Sequence, residues 1–307
     1  MPNQPVIIPA YNMDLFDKKI EGFYLSDKRE PEEQLKKAAS LFLDCPYLFE
    51  PLGEGPDGKY DQNPLYRTDI FDCVTYLDTV LALSKSQNLA DFKHNLMQIR
   101  YANGVIDYTQ RTDWFTDLEW LPRARQLGWI SDVTTTIKDQ SGKILTETAE
   151  TIIDKPNWYH VKTLRALHHK VPLTTEASER LLKELREEGH AFHAKPSQLN
   201  YIPTDRLLDE NGNPNMHLWD QIPSGCVVVF ARPNWEIRDH FKDYPNGYGT
   251  NLNVCHVGLL LRTNGTLMHY NASGTDKKVL AVPLIDYAKY HLLANTIKGI
   301  HIEKILF

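Results

Sequence analysis

Residues 71–83 read FDCVTYLDTVLAL. Val74, Leu77, Val80, Leu81 and Leu83 recur at three- and four-residue steps, the apolar stripe of a buried amphipathic helix. Asp72 is suited to cap that helix, which places Cys73 in the first turn. Unpaired amides and the positive end of the helix dipole favour thiolate there. The sequence therefore predicts a depressed thiol pKa and a cysteine alkylated faster than its fellows. Free cysteine is also a common small core residue, so only a partner separates the two readings.

The chain around this segment has 307 residues, 42% hydrophobic and 24% charged, as expected of a globular protein. A net charge of −6 gives no general attraction to nucleic acid or to anionic membrane. Cys45, Cys73, Cys226 and Cys255 show no metal-ligand spacing and are too sparse for a disulfide framework. They are expected as free thiols, with neither metal nor cofactor. His168-His169 and His190/His193 read as surface positions at helix ends with no third ligand. No run is apolar and long enough for a membrane span. The opening MPNQPVIIPAYN has no basic segment leading into an apolar one, so both a cytoplasmic and an exported location stay open. Oligomeric state is not legible.

Helices are expected over residues 30–43, 89–102, 117–127 (stopped by Gly128) and 174–188. The Gly- and Pro-rich stretch 50–64 reads as a surface loop beside the Cys73 helix, and a hairpin is expected about Gln140-Ser141-Gly142. Strands are expected over 226–231, 253–262, 266–271 and 297–305. Helices first and strands afterwards argue an α+β fold.

The second informative stretch is VCHVGLLLRTNGTLMHYNAS, residues 254–273. Asn264-Gly265 is a strong hairpin signal, and a two-residue turn closed by Thr263 and Thr266 fixes the register. Leu260 then faces His269, Gly258 faces Asn271 and His256 faces Ser273. His256, His269 and Asn271 share one face, with Asn271 diagonal to His256. A cysteine at a helix start, a histidine on a strand and an amide beside it make a nucleophile, base and orienter set.

The segments FDCVTYLDTVLAL and HVGLLL together resemble the NlpC superfamily of papain-like cell-wall cysteine hydrolases. More narrowly, the chain resembles its N-acetylmuramoyl-L-alanine amidase-like branch. RYANGVIDYTQRTDWFTDLEW at 100–120, NYIPTDRLL at 200–208 and IPSGCVVVFAR at 222–232 add to the match. The resemblance implies a papain-like core, its nucleophile helix packed on an antiparallel sheet with extra helices and a hairpin. One catalytic domain would span residues 1–307, with an N-terminal helical extension to about residue 63 and an inserted region over about 85–195. Two positions depart from the family pattern. Asn271-Ala272-Ser273 replaces a His-Ala-Ser triplet, leaving Asn271 and His269 both open as third residue. Cys226 stands where an aspartate is common and is expected buried.

The implied reaction is amide hydrolysis in a peptidoglycan fragment or muropeptide, with Cys73 as nucleophile, His256 as base and Asn271 as orienter. Arg111, Asp113, Trp114, Tyr66 and His269 are the expected substrate-side residues, with Tyr108, Trp120, Trp129 and Asp69 nearby in the sequence. A γ-D-glutamyl endopeptidase would use the same triad. A noncatalytic peptidoglycan-binding module and an effector-like hydrolase are the readings from other classes.

Overall fold

The computed structural model describes residues 10–25, 30–236, 247–294 and 296–307. Eight strands form one antiparallel sheet: β1 Ile130–Asp132, β2 Glu147–Ile153, β3 Lys195–Pro203, β4 Cys226–Trp235, β5 Leu252–Thr263, β6 Thr266–Ser273, β7 Lys278–Pro283 and β8 Gly299–Ile305. Their order is β2-β3-β8-β4-β5-β6-β7, with β1 also on β8. Helices and an antiparallel sheet make this an α+β protein.

Alternation along the strands builds two cores. Val227, Val229 and Ala231 of β4 join Val257, Leu259 and Leu261 of β5 under the helices Pro31–Ser40, Cys73–Ser84 and Leu89–Arg100. Cys226, Val228 and Phe230 point the other way, onto Leu218, Trp219 and Leu284. The helix Cys73–Ser84 is buried from Thr75 to Leu83 on every side, more completely than an amphipathic stripe requires. It lies between the sheet and two other helices, so even Asp78 and Thr79 are enclosed.

Asp78 has a measurable consequence. Trp120 Nε1 donates to its Oδ1 at 2.7 Å, while Oδ2 has no partner. Burial pushes this carboxyl up to about 8. The folded state therefore holds a proton that the unfolded chain releases near pH 4. That stabilisation is complete below pH 4 and is lost progressively as pH rises from 4 through 8. Asp78→Asn keeps the shape without the charge, so it should exceed the parent in stability at pH 7 by on the order of 1–4 kcal/mol. The gap should close at pH 4; urea unfolding at both pH values measures it.

Two sequence expectations are corrected. Stretch 50–64 is largely buried, because Leu52, Glu54, Tyr60, Asp61 and Asn63 pack inward. The turn at 139–142 closes only a single bridge, Lys138–Ile144, and β2 pairs instead with the distant β3. Long-range pairing here overrides the local hairpin pattern. The segment after β7 forms the helix Leu284–Ala294.

Candidate active site

Asp72 caps the Cys73 helix reciprocally. The Thr75 amide donates to Asp72 Oδ1 at 2.8 Å, and the Asp72 amide donates to Thr75 Oγ1 at 2.9 Å. Asp72 Oδ2 also accepts from the Glu50 amide at 3.1 Å, tying the preceding loop to the helix start. The half-buried thiol of Cys73 meets the backbone amides of Val74 and of Val257, the residue after His256. The expected depression of its pKa is reversed: burial, then the adjacent Asp72, push the thiol up to about 12. Burial likewise raises Cys226 and Cys255 to about 12 and raises Cys45, so ionisation does not single out Cys73 for alkylation.

The hairpin has the expected register. Asn264 and Gly265 take φ of 49° and 81°, the left-handed pair that a type I′ turn requires, and Leu260 pairs with His269. His256 Nε2 lies 3.0 Å from Asn271 Oδ1. Since a carbonyl oxygen only accepts, Nε2 carries the hydrogen and Nδ1 keeps the lone pair. Asn271 Nδ2 faces His269 Nδ1 at 3.5 Å, which orients the amide. His269 is fully buried behind Asn271, and its Nε2 would sit 2.3 Å from a Cβ at residue 258. Gly258 is therefore needed for close approach rather than for its dihedral freedom.

A register break aims the imidazole. Phe230 pairs with His256 and Ala231 with Val254, leaving Cys255 as an extra residue in β5. The His256 ring then lies stacked with Phe230 at 5.7 Å and with Tyr287 at 6.0 Å. Burial pushes its pKa down to about 4, against the opposing effect of the hydrogen bond it donates to Asn271. At neutral pH the thiol and the imidazole are both uncharged. No hydrogen bond joins them among the described residues, but both line one cavity of about 950 Å³. Asn271 and Tyr287 line the same cavity.

The remaining expected residues divide. Asp113 and Trp114 line the cavity, with Trp114 Nε1 donating to Glu50 at 3.1 Å. Arg111 also lines it, but its guanidinium is taken by Glu54 at 2.6 and 2.9 Å and by Asp61 at 2.9 Å. Tyr66 is core, between Phe16 and Phe92, and His269 is behind the cavity wall rather than in it. Trp120, Trp129 and Tyr108 are buried in the cores, and exposed Asp69 holds Arg67. His168 is buried on Asp61 and Asn63 instead of lying at the surface.

Cavity residues not anticipated from sequence are Tyr47, Arg232, Trp235, Tyr248 and Tyr287. Tyr287 and His291 stand four apart on the helix Leu284–Ala294 with ring centroids 4.5 Å apart, a helical spacing present in the sequence. Asp132, His301 and Glu303 bring potential metal-ligand atoms within 4.8 Å of one another, yet Arg125 and His301 already bond to the Glu303 carboxylate. No helix among the described residues is long and apolar enough to cross a membrane.

The family model for AmiA-like, N-acetylmuramoyl-L-alanine amidase-like proteins matches residues 37–294. The crystal structure of protein LPG0564 from Legionella pneumophila str. Philadelphia 1, family-model DUF1460, superposes with a TM-score of 0.89 at 33% identity over 96% of each chain. An N-acetylmuramoyl-L-alanine amidase from Bacteroides uniformis superposes with a TM-score of 0.58 at 20% identity, over 90% of this chain and 99% of that one, a likeness of fold. No curated protein matches.

Proposed function

The chain belongs to the N-acetylmuramoyl-L-alanine amidase-like family, and from that premise we propose that it is a cysteine hydrolase of peptidoglycan fragments. The bond cut is the amide between the lactyl group of N-acetylmuramic acid and L-alanine. The observation that carries this reading is the His256–Asn271 hydrogen bond at the wall of the cavity that also holds Cys73. The same reading makes the fold a papain-like one of the NlpC superfamily. Residues 1–307 then form a single catalytic domain, with residues to about 63 as its extension and about 85–195 as its insertion.

The chemistry follows from the neutral resting pair. His256 Nδ1 takes the Cys73 proton as sulfur bonds to the substrate carbonyl carbon, so proton transfer accompanies attack rather than preceding it. The first-turn amide of Cys73 receives the oxyanion. The imidazolium returns its proton to the departing alanine nitrogen as the C–N bond breaks, leaving a thioester. Water, deprotonated by the same nitrogen, then releases the lactyl carboxylate and restores the thiol. Asn271 holds the productive tautomer through Nε2, and Arg111 acts as an internal pillar that locks the 54–61 loop beneath Trp114.

Asn271→Ala should lower kcat by about 10- to 1000-fold without abolishing turnover, because nucleophile and oxyanion donor remain. Steady-state kinetics measure it, and an unchanged kcat would remove Asn271 from the mechanism. The bond itself is read by mass spectrometry after incubation with a defined muropeptide. Free N-acetylmuramic acid with the intact peptide is the expected product pair, whereas a shortened stem on the sugar would mean a γ-D-glutamyl endopeptidase.

A further inference from the structure

Of the three Arg and Lys side chains on the cavity wall, Arg232 is the one that is both half-buried and not consumed by a protein carboxylate; Lys277 is exposed, over the Tyr47 ring at 5.8 Å. Arg111 is held by two carboxylates. The Arg232 guanidinium instead lies over the Trp235 ring at 4.6 Å and, among the described residues, makes neither hydrogen bond nor ion pair. Trp235 is itself fixed, its Nε1 donating to the Val254 carbonyl at 3.1 Å. The arginine is half-buried and lines the same cavity as Cys73 and His256. Stacking leaves its N–H edge free and planar, the geometry that takes a carboxylate in two parallel hydrogen bonds. Elsewhere the wall carries carboxylates, Asp113 and Asp286 among them, which repel an anion. Beside the exposed point charge of Lys277, this half-buried planar guanidinium is the better partner for a carboxylate entering the cavity.

The fold also limits which anion. Phe230 pairs with His256 on the neighbouring strand, and Arg232 is two residues beyond Phe230. Along β4, two residues of strand put Arg232 about 7 Å from Phe230, the partner of His256. An extended peptide covers about 3.3–3.6 Å per residue, so this reach corresponds to roughly two residues from the cut bond.

Resting on the amidase reading, we infer that Arg232, backed by Trp235, is a specificity residue that binds the free α-carboxylate of an acidic second residue in the stem peptide. The enzyme therefore prefers a stem with glutamate there to one with the carboxamide.

The test compares N-acetylmuramoyl-L-Ala-D-Glu with its D-isoglutamine counterpart. Wild-type kcat/KM should favour the acid by about 10- to 100-fold, the range of a charge-assisted hydrogen bond. Arg232→Gln should collapse that ratio to near one, chiefly through KM for the acid, and Arg232→Lys should restore part of it. An acid preference that survives in Arg232→Gln, or no preference in the wild type, overturns the inference. If neither compound is cleaved by the wild type, the amidase reading fails separately. Calorimetry on Cys73→Ala then decides the carboxylate site: tighter binding of the acid, lost on adding Arg232→Gln, supports it, and equal or absent binding rejects it.

Discussion

Cys73→Ala is expected to reduce release of N-acetylmuramic acid by at least about 10⁴-fold. In the proposed mechanism every covalent step runs through its sulfur, and the neighbouring residues offer no substitute. Cys255 also lines the cavity, but it is the extra residue of a strand bulge, and its thiol is raised to about 12 with no imidazole assigned to it. The helix should survive the change, since the Asp72–Thr75 cap and the buried stretch Thr75–Leu83 do not involve the sulfur. Melting should therefore shift by about 1 kcal/mol or less in stability terms, as for a substitution that opens little core. Residual hydrolysis above a few per cent in a folded variant would displace Cys73 from the mechanism.

His256→Ala is expected to cost about 10³- to 10⁶-fold in kcat, because a thiol with a pKa near 12 supplies almost no thiolate at neutral pH without its base. This dependence is stronger than in a preformed ion pair, where some thiolate persists. The ring also packs against Phe230 and Tyr287, so alanine leaves a gap. His256→Gln, which keeps volume, separates lost chemistry from lost packing. The pH profile gives a second readout. Because the base must be unprotonated and its pKa is held down to about 4, kcat/KM should stay level from pH 9 to 5 and fall only as pH drops through about 4. An acid limb near 6.5 would mean a solvated imidazole.

How the site is assembled was partly legible in the sequence. Local signals carried the capped helix at Asp72-Cys73 and the turn at Asn264-Gly265, and the turn register alone set Asn271 against His256. Periodicity could not show that the Cys73 helix packs on the Val257, Leu259 and Leu261 face of β5 while His256 belongs to the other. Cys73 and His256 line one cavity, and a bulge at Cys255 in β5 lies beside the imidazole. Nor could it show charge being consumed. Arg111 and Tyr66 were plausible substrate contacts by proximity, but Glu54 and Asp61 claim one and the core claims the other. The reversed thiol pKa has the same origin: helix-end effects are visible in sequence, whereas desolvation depends on everything packed around the group.

The most direct test of the account is rapid quenching of wild-type enzyme with a defined muropeptide, followed by mass spectrometry of the peptide containing Cys73. The expected adduct is the N-acetylmuramoyl group joined through its lactyl carbonyl to the Cys73 sulfur, formed before free sugar accumulates and absent from Cys73→Ala. An adduct carrying stem-peptide residues would move the cut into the stem. Turnover with no acyl group on Cys73 at any quench time would contradict covalent catalysis at this cysteine altogether.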